Sequence, residues 1–237
     1  MRKAPAPEGR PGFIRIDSVH QGDQDGIKGL YHVNAVDCVT QWQVVASVQT
    51  ISEAHMLPVI EQMLAQFPFE ILGFHADNGS EYVNHRVAQM LDKLKAEFTR
   101  SRPRHSNDNG LAETKNGAVV RKEFGYSHIP QRHAARFNTY CAEYLNPFLN
   151  FHRPCLFSSD KPDPKKPGRI KRIYRPQDAM TPLDKLSSMP AIAQGLREGI
   201  TLEHLRALST ALTDVQAAEE LNEARNALFR RVPARTG

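Results

Sequence analysis

Asp17, Asp77 and Glu113 stand in three strings that each carry a local structural signal: F-I-R-I-D, I-L-G-F-H-A-D-N-G-S-E-Y and N-D-N-G-L-A-E-T-K-N-G. Brought together, they form the donor set of a two-metal phosphoryl-transfer site. Mg²⁺ takes hard oxygen ligands, and two such ions roughly 3.5–4 Å apart stabilise both the attacking and the leaving oxygen of an in-line displacement. No other group of residues in the chain competes for that chemistry. Spacing alone is weak support, because acidic residues are common, so the weight rests on what precedes and follows each one.

The elements that must position these acids are legible from pattern. Asp17 closes an apolar-alternating run (Phe13, Ile14, Ile16), as a strand carboxylate at the edge of a core does. Asp77 follows Ile71, Leu72 and Phe74 and precedes the turn dipeptide Asn78-Gly79, which ends a strand and presents the acid at its tip. Glu113 comes just after Asn107-Asp108-Asn109-Gly110, a helix-start signal, and so projects from a first helical turn. Two strand ends and a helix start can converge on one point; the alternative is three unrelated surface acids.

The same strings resemble the catalytic core shared by insertion-sequence transposases and retroviral integrases. In that family thirty-five residues separate the last Asp from the Glu, and positions 78–112 give the same interval here. H-A-D-N-G-S-E-Y and S-R-P-R-H-S-N-D-N-G-L-A-E-T-K-N-G are similar to strings of the bacterial members, and the likeness runs from residue 12 to about 157. It implies an α/β, ribonuclease-H-like mixed sheet flanked by helices. It also implies that Asp17, Asp77 and Glu113 are catalytic and hold two Mg²⁺ (or Mn²⁺) ions. The implied activity is that of a transposase or integrase: cleavage at an element's end to expose a 3′-OH, then attack of that hydroxyl on target DNA. The implied partners are element-end and target DNA and a second copy of the chain, in a dimer or higher assembly. Two other classes stay open, a ribonuclease-H-like nuclease that only hydrolyses and a catalytically idle DNA-binding regulator derived from a transposase.

The wider pattern predicts strands near 13–19, 30–38, 42–49 and 70–76, and a short one at 98–101. Ser52 is placed to cap a helix to about Phe67, and Asn84 one to about Glu97. Long helices are expected from near Leu111 and over about 131–150. Residues 1–12 read as a Pro/Gly-rich basic linker, 13–157 as the core, 158–190 as a basic extended arm and 191–232 as a helical region. In the resembling family a helix-turn-helix precedes such a linker; it is expected either upstream in a longer protein or on another polypeptide. The C-terminal stripes Leu202, Leu205, Leu208, Leu212 and Val215, Ala218, Leu221, Leu228 must be buried against the core or another chain, and are candidates for the assembly contact.

Charge fits a polyanionic partner. The 237 residues carry a formal net charge of +5, and residues 160–175 hold Lys161, Lys165, Lys166, Arg169, Lys171, Arg172 and Arg175 against two Asp. Such an arm suits DNA-backbone contact through counterion release, or else is a solvated linker. Arg100, Arg102 and Arg104 bracket the loop before Glu113 as candidate phosphate grips, and Asn116, one turn after Glu113, is a candidate DNA contact near the scissile phosphate. Lys115 is expected in solvent, and His75 as a packed neighbour of the site or a group touching it. Asp37 resembles a family acid of less certain part and is left out of the ligand set; Glu81 reads as a surface acid. No apolar stretch of eighteen residues and no basic-apolar leader is present, so a cytoplasmic, DNA-associated protein is expected and a membrane is not. Cys38, Cys141 and Cys155 lack C-x-x-C pairing and read as reduced thiols.

Overall fold

The computed structural model describes residues 6–76, 88–89, 92, 96–102, 108–162, 168, 170–190 and 192–232. Strands β1 (Phe13–His20), β4 (Tyr31–Asp37), β5 (Gln43–Val48), β6 (Gly73–Ala76) and β7 (Glu97–Arg100) form one sheet in the order β5-β4-β1-β6-β7. β1 runs antiparallel to β4, and β4 to β5, whereas β1, β6 and β7 are parallel. A two-residue pair, β2 (Asp23–Gln24) and β3 (Ile27–Lys28), forms a side hairpin. The predicted strands are present within a residue or three. One expectation fails: β1 continues to His20, so Asp17 sits in mid-strand. The partner strand β4 is long enough to pair β1 as far as His20, which outweighs the end of the apolar run.

Each face of the sheet has its own core. Helix α1 (Glu53–Leu64) covers the face bearing Ile14, Ile16, Val33, Ala35, Val44 and Ala46, through Met56, Ile60 and Met63. It stops short of the expected Phe67, and Ser52 holds an extended N-cap backbone without a side-chain cap, its Oγ lying 2.8 Å from His55 Nδ1. On the opposite face lie α2 (110–124) and α3 (134–152), packed through Val119, Val120, Phe124, Phe137, Tyr140 and Leu145. Both helices contain wide π turns, at Asn116–Val120 in α2 and at Cys141–Leu145 and Phe148–His152 in α3. Such turns are rare and recur at functional sites.

α3 also closes the sheet's edge. β5 is an edge strand, and its outward backbone groups meet three asparagines of α3. Asn138 Oδ1 accepts from Ser47 N at 2.6 Å while its Nδ2 donates to Ser47 O at 2.9 Å. Asn146 does the same for Val45 at 2.8 and 3.2 Å, and Asn150 for Gln43 at 2.8 and 2.8 Å. The four-residue step from Asn146 to Asn150 rises about 6 Å, close to the roughly 6.8 Å of a two-residue step along a strand.

After α3 the stretch expected to be an extended arm is extended and paired on itself. β8 (Cys155–Pro162) and β9 (Ile170–Met180) pair antiparallel as a ribbon with an irregularity between Leu156 and Ser158. Helix α4 (Pro182–Ser187), opened by a capping box at Thr181, returns Leu183 and Leu186 to the α1-side core. Then follow α5 (Leu202–Thr210) and α6 (Asp214–Arg230). α6 packs on this chain's own core through Ala217, Leu221 and Leu228, with Phe229 edge-on to Phe137. Val215 is exposed, so the inward stripe lies on Ala217 and not on the expected Val215. At α6, Arg225 Nη1 lies 3.5 Å from Glu123 Oε2, and Tyr140 donates its hydroxyl hydrogen to Glu123 Oε1.

Two buried polar residues fix the sheet's ends. Asp37 accepts from Gly12 N (2.7 Å), Val39 N (3.0 Å), Thr40 N (2.7 Å) and Thr40 Oγ1 (2.8 Å). Burial pushes its carboxyl above the usual range, and these four donors pull the other way. Gly12, at φ +105°, belongs to this clamp: a Cβ there would meet Glu70 O at 2.3 Å. His32, fully buried, stacks on Phe124 at 4.2 Å with Nδ1 2.9 Å from Ser47 Oγ. Burial, then the charge of Arg121, lower its pKa from 6.5 to about 3. A histidine whose folded value is depressed stabilises fully above its unfolded pKa and loses that contribution as pH falls towards the folded value. Stability should therefore drop by about 2 kcal/mol between pH 7 and pH 5 from His32 alone. Urea titrations at both pH values check this, and in His32→Asn the drop should be smaller by that amount.

Candidate active site

Register aims Asp17 at α2. Side chains alternate along β1, so while Ile14 and Ile16 enter the α1-side core, Asp17 faces the other way, opposite Asn34 in β4. β1 pins α2 at both ends. Asn109 Nδ2 donates to Ile16 O at 3.0 Å before the helix begins. At its end, Gln21 Nε2 donates to Phe124 O, Gly125 O and Ser127 O at 3.0–3.1 Å, serving carbonyls that the helix leaves unpaired. Midway, Asn34 Nδ2 donates to Ala112 O at 3.1 Å, and Asn34 Oδ1 accepts from Gln43 Nε2 at 2.8 Å. The result is a helix held against the strand that carries Asp17.

Asn116 joins the two. It is 5% exposed, and its Nδ2 donates to Asp17 Oδ2 at 2.7 Å, while Asp17 Oδ1 accepts from Ser18 N at 2.8 Å. Residues three apart on a helix are neighbours at about 5–6 Å between Cβ atoms, so the Asn116 bond brings the Glu113 turn to Asp17. Glu113 is exposed. Asn116, a candidate DNA contact, has its amide nitrogen engaged by Asp17. The sequence signal for this is its shared face with Glu113.

Asp77 lies outside the described residues. The residue before it, Ala76, pairs in register with Ile16, the residue before Asp17. Among the described residues no group of three or more His, Cys, Asp or Glu is gathered as a metal cluster. The donor chemistry nevertheless fits a hard cation: a carboxylate has about four lone-pair positions, and Glu113 is open to solvent.

The remaining expected residues divide. Arg102 is folded back on Asp108: its backbone N and Nε reach Oδ2 at 3.0 and 2.9 Å, and Nη2 reaches Oδ1 at 2.7 Å. The expected phosphate grip is thus already occupied by a carboxylate, and that bond raises the Arg102 pKa further. Arg100 is half-buried at the end of β7, in register with Ala76. His75 is buried between β6 and β7, with Nδ1 2.9 Å from Thr99 Oγ1 and Nε2 3.3 Å from Ser101 Oγ, a packed neighbour. Lys115 is not in solvent as expected: half-buried, it donates through Nζ to Cys155 Sγ at 3.1 Å, because the ribbon begins over it. Lys171 and Arg172 are exposed on β9. Glu81, Arg104, Lys165, Lys166 and Arg169 lie outside the described residues.

A mixed five-stranded sheet in this order, with helices on both faces, is a ribonuclease-H-like fold. Residues 8–106 match the family model of the integrase core domain. The match includes Asp17 and Asp77 and ends before Glu113. An uncharacterized protein of Sinorhizobium fredii, y4rM, is 32% identical over 120 residues, which are 50% of this chain and 34% of that protein. This chain therefore spans about a third of that relative's length. Among solved structures, the catalytic core domain of BIV integrase is similar at 16% identity and a TM-score of 0.42, over 60% of this chain and 85% of that one. A chain in the simian T-cell lymphotropic virus intasome, in complex with PP2A regulatory subunit B56 gamma, is similar at 16% identity and a TM-score of 0.40, over 53% and 46%. No described helix is long and apolar enough to cross a membrane.

Proposed function

We propose that the chain acts on DNA as a polynucleotidyl transferase, cutting at an element's end and joining the freed 3′-OH to a target strand. The observation that carries this is the Asn116 bond to Asp17, which ties the Glu113 turn to mid-β1, a strand within the stretch that matches the integrase core domain model. Asp77 completes the set in this reading, since it follows Ala76 directly and Ala76 is in register with Ile16. Asp17, Asp77 and Glu113 would hold two Mg²⁺ or Mn²⁺ ions, which when bound would lower the pKa of a nucleophile and stabilise the leaving oxygen. Asn116 is a positioning residue: it fixes the orientation in which Asp17 presents its carboxylate. Arg100 and Arg104, with Lys165, Lys166, Arg169, Lys171 and Arg172, supply cationic contact to the DNA backbone, which positions the strand without reading it. The protein works as a dimer or higher assembly on DNA.

The test is incubation of the chain with its own element's terminal duplex and Mg²⁺ or Mn²⁺, scored for nicked ends and joined products. Both products should form and both should require the metal. Nicks without joining would assign a hydrolytic nuclease, and metal-independent binding with neither product a regulator; either sinks the transferase reading.

A further inference from the structure

The ribbon register sorts its charges by face. Residues opposite one another in an antiparallel pair share a face, and successive residues alternate. Lys161 stands opposite Lys171 and Ser159 opposite Ile173. On the other face Asp160 stands opposite Arg172, Ser158 opposite Tyr174 and Pro162 opposite Ile170. The first face therefore places two ammonium-bearing residues side by side. Like charges directly opposite destabilise a bare pair. Lys161 and Lys171 are exposed, and neither has an ion-pair partner among the described residues.

The root of the ribbon lies on α2. Cys155, the first residue of β8, accepts from Lys115 Nζ, two residues past Glu113, and Arg153 Nη2 donates to Ala118 O at 3.1 Å. Gln41 Nε2, at the β4–β5 turn, donates to Leu156 O at 2.8 Å. Whatever this ribbon grips is thereby held next to the helix that carries Glu113.

We propose that the face bearing Lys161 and Lys171 is a seat for the phosphate backbone of duplex DNA, anchored beside the Glu113 helix. This rests on the DNA-acting reading above and gives it a surface. A polyanion is the partner that relieves the Lys161/Lys171 juxtaposition. The shape also suits a duplex: two strands about 4.8 Å apart enter a major groove about 12 Å wide, where cations reach phosphates on its walls.

The measurement is fluorescence anisotropy of the full chain with a duplex of arbitrary sequence, across a salt series. Wild type is compared with K161Q/K171Q and with the opposite-face variant I170S/Y174S, each checked by circular dichroism. The double lysine variant should flatten the slope of log affinity against log salt by about 2, at roughly 0.9 for each phosphate no longer neutralised. The opposite-face variant should keep the wild-type slope, and so should the charge-conserving K161R/K171R. Should the double lysine variant misfold, Lys171→Gln alone should reduce the slope by about 1. Unchanged slopes in the lysine variants, with wild type still binding, would overturn this inference and leave the transferase reading standing. Flattening in I170S/Y174S alone, or a change in sedimenting mass at constant slope, would also overturn it, the latter assigning the ribbon to chain association. A wild type that binds no duplex would remove the DNA-acting reading as well.

Discussion

Glu113→Gln should lower metal-dependent cutting and joining by on the order of a thousand-fold or more while leaving the fold and duplex affinity in place. The substitution keeps size and shape and removes only the anionic oxygen that a hard cation needs. Glu113 is exposed and its backbone N–H is bonded to Asn109 O, neither of which depends on the carboxylate, so stability should shift by no more than about 0.5 kcal/mol. Asp17→Asn and Asp77→Asn should abolish activity to a similar extent. Asp17→Asn is the more informative of the two for geometry, because an amide oxygen at position 17 can still accept from Asn116 Nδ2. Thermal unfolding, anisotropy with duplex DNA and the cleavage-joining assay, run on the same preparations, separate these effects. Undiminished joining by Glu113→Gln would remove the residue from the chemistry, and equal losses of binding and activity would give it a structural role.

What the sequence disclosed about this site, and what it concealed, follows from which interactions are local. Alternation in F-I-R-I-D and the helix start at N-D-N-G are short-range signals, and β1 and α2 form where those signals put them. The position of Asp17 along β1 is different, since strand length is set by the partner β4 and not by the run itself. The basic stretch after 157 reads as an extended arm with no partner strand because Pro162, Pro164 and Pro167 with Gly168 break any periodic pattern; pairing of Cys155–Pro162 with Ile170–Met180 is a cross-strand property that neither half displays alone. The surroundings of Arg102 and Lys115 escape a sequence reading for a related reason. A long cationic side chain goes to an acceptor within its reach, and Asp108 and Cys155 come within reach only once the loop and ribbon are folded. The inward stripe of α6 is likewise fixed by the surface it meets at Phe137 and Glu123, and so by tertiary packing.

The three asparagines on α3 are concealed for the opposite reason, because polar residues at 138, 146 and 150 in a helix look like a solvated face. They instead finish the hydrogen-bonding of the β5 edge, where unpaired N–H and C=O groups would otherwise invite another strand. Asn146→Leu should therefore destabilise the protein by roughly 2–5 kcal/mol, since it strips both the donor and the acceptor from Val45 in a buried setting at about 1–3 kcal/mol each. It also breaks the 2.8 Å bond from Asn146 Nδ2 to Gln66 Oε1, at the end of α1. Asn146→Asp is the matched control: its carboxylate still accepts from Val45 N but cannot donate to Val45 O, and so should cost less than the leucine if the ladder is what matters. Urea unfolding reads the difference, and light scattering at the transition midpoint reports whether the exposed β5 edge now self-associates. A leucine variant as stable as wild type would show that the edge is satisfied some other way, and the asparagine ladder would lose its role in holding α3, and with it the α2-side core, to the sheet.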